Sequence, residues 1–444
     1  MENGRVTMFI RAFIAAIVAV RMLSAQDDSS ALLARATEKI LDSIRRLPKY
    51  TCLETIDRTY YAARSARLNR RAMTEASSST CGGYGPLVSM EAADRLRVDV
   101  AVDGDTEINS WPGASSFDTR PIYQMIPFGP ISTGSFGTFL LDLFANRIAQ
   151  VTFTERKLDG AQVMFEYSFR VPQNLSRYRV RAGNGWEVTG YSGTFEINSG
   201  TAELARLVIQ TDRLLPATHL CEARTTIDYH FMLIGDGEFL IPRRSELQTF
   251  DRNGARTVSV TGFSACHEYT AESNIRFDDP GTPAESIKTA PAPVFALPAG
   301  TSLTLALIRP IDTRIAAGGD AVSAKVVDAV RAPRSKEILV PAGAIAHGRI
   351  LQVRQQYSSN QLLISLQFNR LEMQGAVSPL SARLDRELKP EKRNRRGFVD
   401  RGTEYSLPPP APTEPGGLFL FSATRGASAV VPAGFQSKWI TLAQ

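Results

Sequence analysis

The stretch "QVMFEYSFRV", residues 162–171, decides how this chain is read. Val163, Phe165, Tyr167, Phe169 and Val171 alternate with Met164, Glu166, Ser168 and Arg170. Successive strand side chains point to opposite faces, and a run with one apolar and one wet face belongs to an antiparallel sheet. The pattern recurs on both sides of this run. In "RLRVDVAVDG" (residues 95–104) Leu96, Val98, Val100 and Val102 share a face and Asp103-Gly104 makes a turn. "GTFEINSGTAELARLVI" (193–209) sets Asn198-Ser199-Gly200 between two alternating runs, and "ELQTFDRNGARTVSV" (246–260) carries the hairpin signal Asn253-Gly254.

Two segments break the strand period. From Ser30 to Leu47, Leu33, Ala36, Ile40, Ile44 and Leu47 recur at spacings of three and four, which predicts an amphipathic helix stopped by Pro48. In "STGSFGTFLLDLF" (132–144), Phe136, Phe139, Leu140 and Leu143 share a helical face that Ser132 or Thr133 could cap. An apolar helix inside a meander of strands has to pack on the concave side of the sheet or shield it. The expected fold class is therefore α+β, mostly β: an antiparallel half-barrel sheet with an N-terminal helix, then a small C-terminal β-barrel.

The boundary falls in "DDPGTPAESIKTAPAPV" (278–294), where four prolines exclude a central strand. Alternation resumes in "SLTLALI", "AVSAKVVDAV", "GRILQV" and "QLLISLQF". The expected organisation is a signal segment 1–25, a half-barrel domain 26–277, a Pro-rich linker 278–296 and a barrel domain 297–444. Within the barrel, an apolar-Pro-Ala-Gly step occurs at Leu297–Gly300, Val340–Gly343 and Val431–Gly434, each ahead of a strand. Pro fixes φ and Gly permits a tight turn, so the repeat reads as architecture at a barrel rim.

The N-terminus has Arg5 and Arg11 ahead of an apolar run from Ala12 to Val20, then Leu23-Ser24-Ala25, the pattern of a secretory signal cut before Gln26. The run falls short of the roughly 20 residues that span a bilayer, so the expected mature chain has no transmembrane helix and is periplasmic or secreted. The formal charge of +6 becomes +4 without the three Arg and one Glu of that segment. This mild excess does not form the basic stripe of a nucleic-acid reader. From Arg383 to Arg401 basic residues cluster, with Arg393, Arg395 and Arg396 close together. That run reads as a solvated loop or as a contact for an acidic partner or an anionic surface.

In an exported chain the four cysteines tend to form bridges. Three pairings are open. Cys221 with Cys266 is favoured because each adjoins a predicted strand of one sheet, which leaves Cys52 with Cys81. A metal site is the weaker alternative, since no C-x-x-C occurs.

No G-x-S-x-G elbow, P-loop, H-E-x-x-H or G-x-G-x-x-G is present, and the four histidines lack metal-ligand spacing. The expectation is a non-enzymatic protein without a cofactor or metal, binding a lipid, an acyl chain or an envelope protein. A concave apolar sheet can hold such a ligand, or it can be a core packed by its own helices. The residues to test as ligand-facing are Phe136, Phe139, Leu140 and Phe144. A partner surface at the barrel rim would carry His347, Arg349 and Trp439. The competing readings are an interaction subunit docking a membrane or secretion complex through the barrel, and an envelope hydrolase.

The helix-then-meander order and the hairpin "YSGTFEINSGTAELARLVI", returning with Arg206, resemble the LolA-like fold of periplasmic lipoprotein carriers. That resemblance implies a lipid-binding half-barrel over Ser30 to Phe277. "LPKYTCLETIDR" and "SACHEYTAES" resemble segments of uncharacterised secreted bacterial envelope proteins. "LPAGTSLTLAL" and "VPAGAIAHGRI" are similar to the small β-barrel of TrbI-like conjugation and secretion proteins, which implies a barrel used in protein contacts.

Overall fold

The computed structural model describes residues 28–63, 88–103, 106–114, 117, 120–126, 129–182, 185–269, 297–332, 337–373, 375–385, 415–422 and 429–443. The expected signal segment and Pro-rich linker, Cys81, Arg393, Arg395 and Arg396 lie outside these residues. The fold is α+β and mostly β.

Residues 28–46 form helix α1, whose buried stripe is Leu32, Ala36 and Ile40. Strands β1 (Tyr50–Ala63), β2 (Val88–Asp103) and β3 (Thr106–Ser110) follow. Next come the short helices α2 (Ile122–Met125) and α3 (Thr138–Leu140), the latter running into one π-helical turn, Leu141–Ala145. The first unit ends with β4 (Gln150–Asp159), β5 (Gln162–Val171), β6 (Arg179–Ala182), β7 (Gly185–Val188), β8 (Tyr191–Asn198), β9 (Leu204–Thr211), β10 (Leu220–Ile234), β11 (Gly237–Asp251) and β12 (Arg256–Glu268).

The sheet runs β4-β5-β8-β9-β10-β11-β12-β1-β2-β3, antiparallel throughout. β6 and β7 stand apart as a two-stranded ribbon. On β1 the buried phase is Tyr50, Cys52, Glu54, Ile56, Arg58 and Tyr60, so the inner face carries charge as well as apolar bulk. Helix α1 is strapped to that face: the Tyr167 hydroxyl donates to the Ser29 carbonyl at 2.7 Å, and the Leu240 N–H donates to Ser43 Oγ at 2.8 Å.

The expected disulfides are corrected. Cys52 is bonded to Cys266, with a sequence separation of 214. Strands β10 and β12 are both antiparallel to β11, so they run parallel to each other. Cys221 at the start of β10 and Cys266 near the end of β12 therefore sit about 30 Å apart along the sheet, far beyond the roughly 7 Å a bridge tolerates. Cys52 lies on β1, the neighbour of β12, at the bulge between the Thr51↔His267 and Leu53↔Ser264 pairs. Cys221 is also disulfide-bonded; its partner lies outside the described residues, and the favoured Cys221–Cys266 and Cys52–Cys81 pairing is overturned.

The second unit holds β13 (Ser302–Leu307), β14 (Ile311–Asp312), β15 (Ala321–Val326), β16 (Val330–Arg331), β17 (Ile338–Val340), β18 (Ile345–Gln356), β19 (Gln361–Met373), β20 (Ala376–Pro379), β21 (Ala382–Leu384), β22 (Gly417–Ser422), β23 (Val430–Val431) and β24 (Gln436–Thr441). It closes on itself through β24-β13-β15-β18-β19-β22, with β21 joining β24 and bridging to β22 through Arg383 and Gly416. Its core is aliphatic, with Leu303, Leu305, Ile350, Ile364 and Leu366 around Phe368 and Trp439.

The three Pro-Ala-Gly steps share one geometry. Gly300, Gly343 and Gly434 have φ of 82°, 88° and 80°, and the residue after each donates to the proline carbonyl at 3.3, 3.3 and 3.2 Å. This is a type II turn with glycine at the position that needs positive φ. Each glycine N–H then donates to the last residue of a neighbouring strand, Thr441, Val326 or Leu307. The repeat pins turns to strand ends at the rim of the barrel.

The two units share an edge. Asp94, Ala93 and Ala92 of β2 pair with Arg354, Gln355 and Gln356 of β18. The Arg97 N–H donates to the Gly318 carbonyl (2.7 Å), and the Gly318 N–H donates to the Arg95 carbonyl (2.8 Å). Arg97 also grips both oxygens of Asp320 at 2.7 Å. At Gly319, φ is +103° and an added Cβ would stand 2.2 Å from the Arg97 carbonyl oxygen, so only glycine allows this approach.

Candidate functional site

The concavity of the half-barrel is occupied by the chain itself. Phe139, Leu140, Leu143 and Phe144 pack with Tyr167, Phe169, Tyr191 and Phe195 of β5 and β8 and with Leu32, Ala36 and Ile40 of α1. Phe144 meets Phe195 edge-on at 5.2 Å, and Phe139 meets Tyr191 at 6.0 Å. Phe136 sits in a neighbouring cluster with Tyr50 and Phe263, at 5.9 and 5.0 Å. All four residues expected to face a ligand are thus buried, 0–7 % exposed. The expected helix is shorter than its apolar spacing predicts: Gly137 stands at its N-terminus with no side-chain cap, in place of Ser132 or Thr133, and the path tightens into the π turn.

Polar side chains of the sheet hold this plug in place. The Glu107 carboxylate on β3 accepts the Gly134 N–H (3.0 Å) and the Phe136 N–H (3.3 Å). The Tyr229 hydroxyl on β10 donates to the Ser135 carbonyl at 2.9 Å. Further along, buried Asp142 accepts Arg177 Nη2 at 2.5 Å and the Tyr191 hydroxyl at 3.3 Å. Four residues of sheet and loop therefore grip one segment at three points, and each contact runs through the backbone or a carboxylate.

Beneath the grip lies a second carboxyl. Glu54 is buried on β1; loss of solvent pushes it up to about 8, and the Glu107 charge acts in the same direction. Burial also raises Glu107, opposed by its two N–H donors. The Tyr50 hydroxyl is buried beside them without a hydrogen-bond partner among the described residues, and burial with the Glu107 charge drives it well above its ordinary value. Both carboxyls hold their protons beyond the usual carboxylate range, chiefly because burial penalises the charged form, with the Glu107 charge adding to the rise at Glu54. A second buried centre, Arg58 and Asp94, is bidentate at 2.7 and 2.8 Å, and Arg354 of β18 stands over the Tyr60 ring at 4.7 Å. That centre cements the shared edge between the units.

The residues expected on a partner surface separate. Trp439 is wholly buried in the barrel, edge-on to Phe368 at 5.1 Å, and presents nothing outward; its alternating strand turns it in. His347 is half-buried between Ser323 Oγ (3.2 Å) and Glu372 Oε2 (2.8 Å). Arg349 donates to the carbonyls of Pro112 (2.7 Å) and Gly319 (2.9 Å) and so belongs to the junction. The acid pair was missed in sequence although it left a signal: Glu54 and Arg58 fall in the apolar phase of "CLETIDRTY". A recess of about 370 Å³ lies between the first Pro-Ala-Gly turn and residues Asp328–Arg331. Among the described residues no His, Cys, Asp and Glu group could hold a metal ion, and no helix is long and apolar enough to cross a membrane.

No protein-family model matches the chain, and no curated protein does. Two solved structures are similar in part. One is a DUF1329 family protein from Desulfovibrio piger, 10% identical, covering 55% of this chain and 92% of its own, with a TM-score of 0.26. The other is described as an outer membrane lipoprotein-sorting protein domain from Vibrio parahaemolyticus, 9% identical, covering 50% and 87%, with a TM-score of 0.23. Likenesses this remote carry no argument about function, which rests on the chain's own geometry.

Proposed function

We propose that this is an exported, non-enzymatic envelope protein whose half-barrel takes up an apolar ligand, a lipid or acyl chain, in exchange for its own plug. The observation that carries this reading is the aromatic interior covered beside helix α1 by one irregular segment, residues 129–145, rather than by the sheet. A ligand of similar chemistry can replace Phe136, Phe139 and Phe144 at small net loss of apolar contact, since burial is nondirectional and scales with area. The polar grips are then the control. Glu54 binds its proton more tightly in the closed state than in water, so closure is favoured at low pH and weakens as pH rises toward about 8.

Lipid extraction and mass spectrometry of natively purified protein test this. The expected result is an acyl lipid in near-stoichiometric amount, or uptake of added 1-N-phenylnaphthylamine that rises between pH 6 and 9. Protein that is reproducibly empty and takes up no probe at any pH overturns the reading, as does turnover of an ester or glycan by the purified chain.

A further inference from the structure

The ribbon β6–β7 lies beside the plug and carries an exposed face, on which Trp186 is partly engaged by Tyr123 of α2. Its inner side is anchored: Val180 is buried, and Tyr178, just before β6, stacks near Phe139 of the plug at 5.7 Å. Trp186 meets Tyr123 of α2 edge-on at 5.0 Å. The pairing Arg179↔Val188 and Arg181↔Trp186 puts these four side chains on one face, because directly opposed residues of an antiparallel pair point the same way. All four are exposed, Trp186 by 45% and Val188 by 37%. Asp212 N–H donates to the Gly190 carbonyl (2.8 Å) and so brings the exposed Arg213 and Leu215 alongside.

The charge balance of this patch is one-sided. Of the acids around it, Asp142 is engaged by Arg177 and Asp212 by Arg170, while Glu187 of β7 is paired opposite Val180 and so points to the ribbon's other face. Arg179, Arg181 and Arg213 form no ion pair among the described residues. Arginine alone would suit any acidic macromolecule. Trp, Val and Leu interleaved with it suit the headgroup layer of a bilayer, where an amphipathic indole is favoured and anionic phosphates meet guanidinium groups.

We propose that the outer face of β6–β7, with Arg213 and Leu215, is a docking surface for an anionic phospholipid bilayer, placed so that docking brings the plugged mouth to the membrane. The proposal goes beyond uptake of an interior ligand and stands without it, because vesicle binding is read separately from probe uptake.

The test is flotation of the full chain with vesicles of phosphatidylglycerol and phosphatidylcholine, against vesicles of phosphatidylcholine alone. Wild-type protein is expected to float with the anionic vesicles only, less so as salt rises. Arg179→Ala with Arg181→Ala should lower partitioning roughly tenfold to thirtyfold. Trp186→Ser should lower it several-fold, and the thermal midpoint of the arginine variant should be unchanged since those side chains are exposed. Wild type that ignores anionic vesicles, or arginine variants that float as well as wild type, overturns the proposal. So does full binding by Trp186→Ser, which would point instead to an acidic protein or other polyanion.

Discussion

The half-barrel and the barrel are built from the same alternating strands, yet their interiors differ in kind. The barrel closes, and its core of Leu303, Leu305, Ile364, Phe368 and Trp439 is apolar. The half-barrel does not close; its inner face carries Glu54, Arg58 and Asp94, and its aromatic bowl is filled by residues 129–145. A closed barrel satisfies every strand edge internally and leaves nothing for a core charge to do. An open sheet must be covered by something, and in the proposed function that cover is exchanged for a ligand. The barrel also supplies β18 to the edge of β2 and so buttresses the half-barrel.

The contrast can be broken at graded cost. Replacing Cys52 and Cys266 together by Ser should destabilise the half-barrel most, by about 5 kcal/mol on the chain-entropy account of so long a loop, read as a fall in urea midpoint under oxidising conditions. Trp439→Ala should cost roughly 3–5 kcal/mol through the cavity it leaves, and the loss should be the same at pH 5 and pH 9.

Glu54→Gln should separate the two interiors by pH. A carboxyl whose folded pKa is raised binds more protons in the folded state, so wild-type stability falls as pH climbs from the ordinary carboxylate range to about 8. The glutamine variant lacks that loss. It should match wild type at pH 5 and exceed its thermal midpoint by several degrees at pH 9. A variant no more stable than wild type at pH 9 would mean that the pair is neutralised by another route. The smallest effect is expected at the rim: Gly434→Ala keeps the space it needs but pays about 1 kcal/mol for a left-handed conformation.

Much of the architecture was legible because a period of two survives in many of the strands, β1, β2 and β5 among them. "QVMFEYSFRV" and "RLRVDVAVDG" read directly as β5 and β2, and the Asn253-Gly254 hairpin lies between β11 and β12. The Pro-Ala-Gly steps were legible as turns because φ is written into proline and glycine. The disulfide was not, because pairing depends on which strands are neighbours: β1 joins β12 only after nearly the whole unit is made. The plug was legible as apolar but not as plug, since spacing cannot show that Phe136 and Phe139 enter different clusters. The acid pair needed two strands to meet, and Glu107 acquires its role from the backbone of Gly134 and Phe136, which leaves no trace in composition.

The central claim, that a ligand replaces the plug, is tested most directly by hydrogen exchange with mass spectrometry as 1-N-phenylnaphthylamine is titrated into the full chain. The account predicts faster exchange across residues 129–145 with probe bound, at Gly134 and Phe136 above all, while β13, β19 and β24 of the barrel stay unchanged. Bound probe with exchange in 129–145 unchanged or slowed would contradict it.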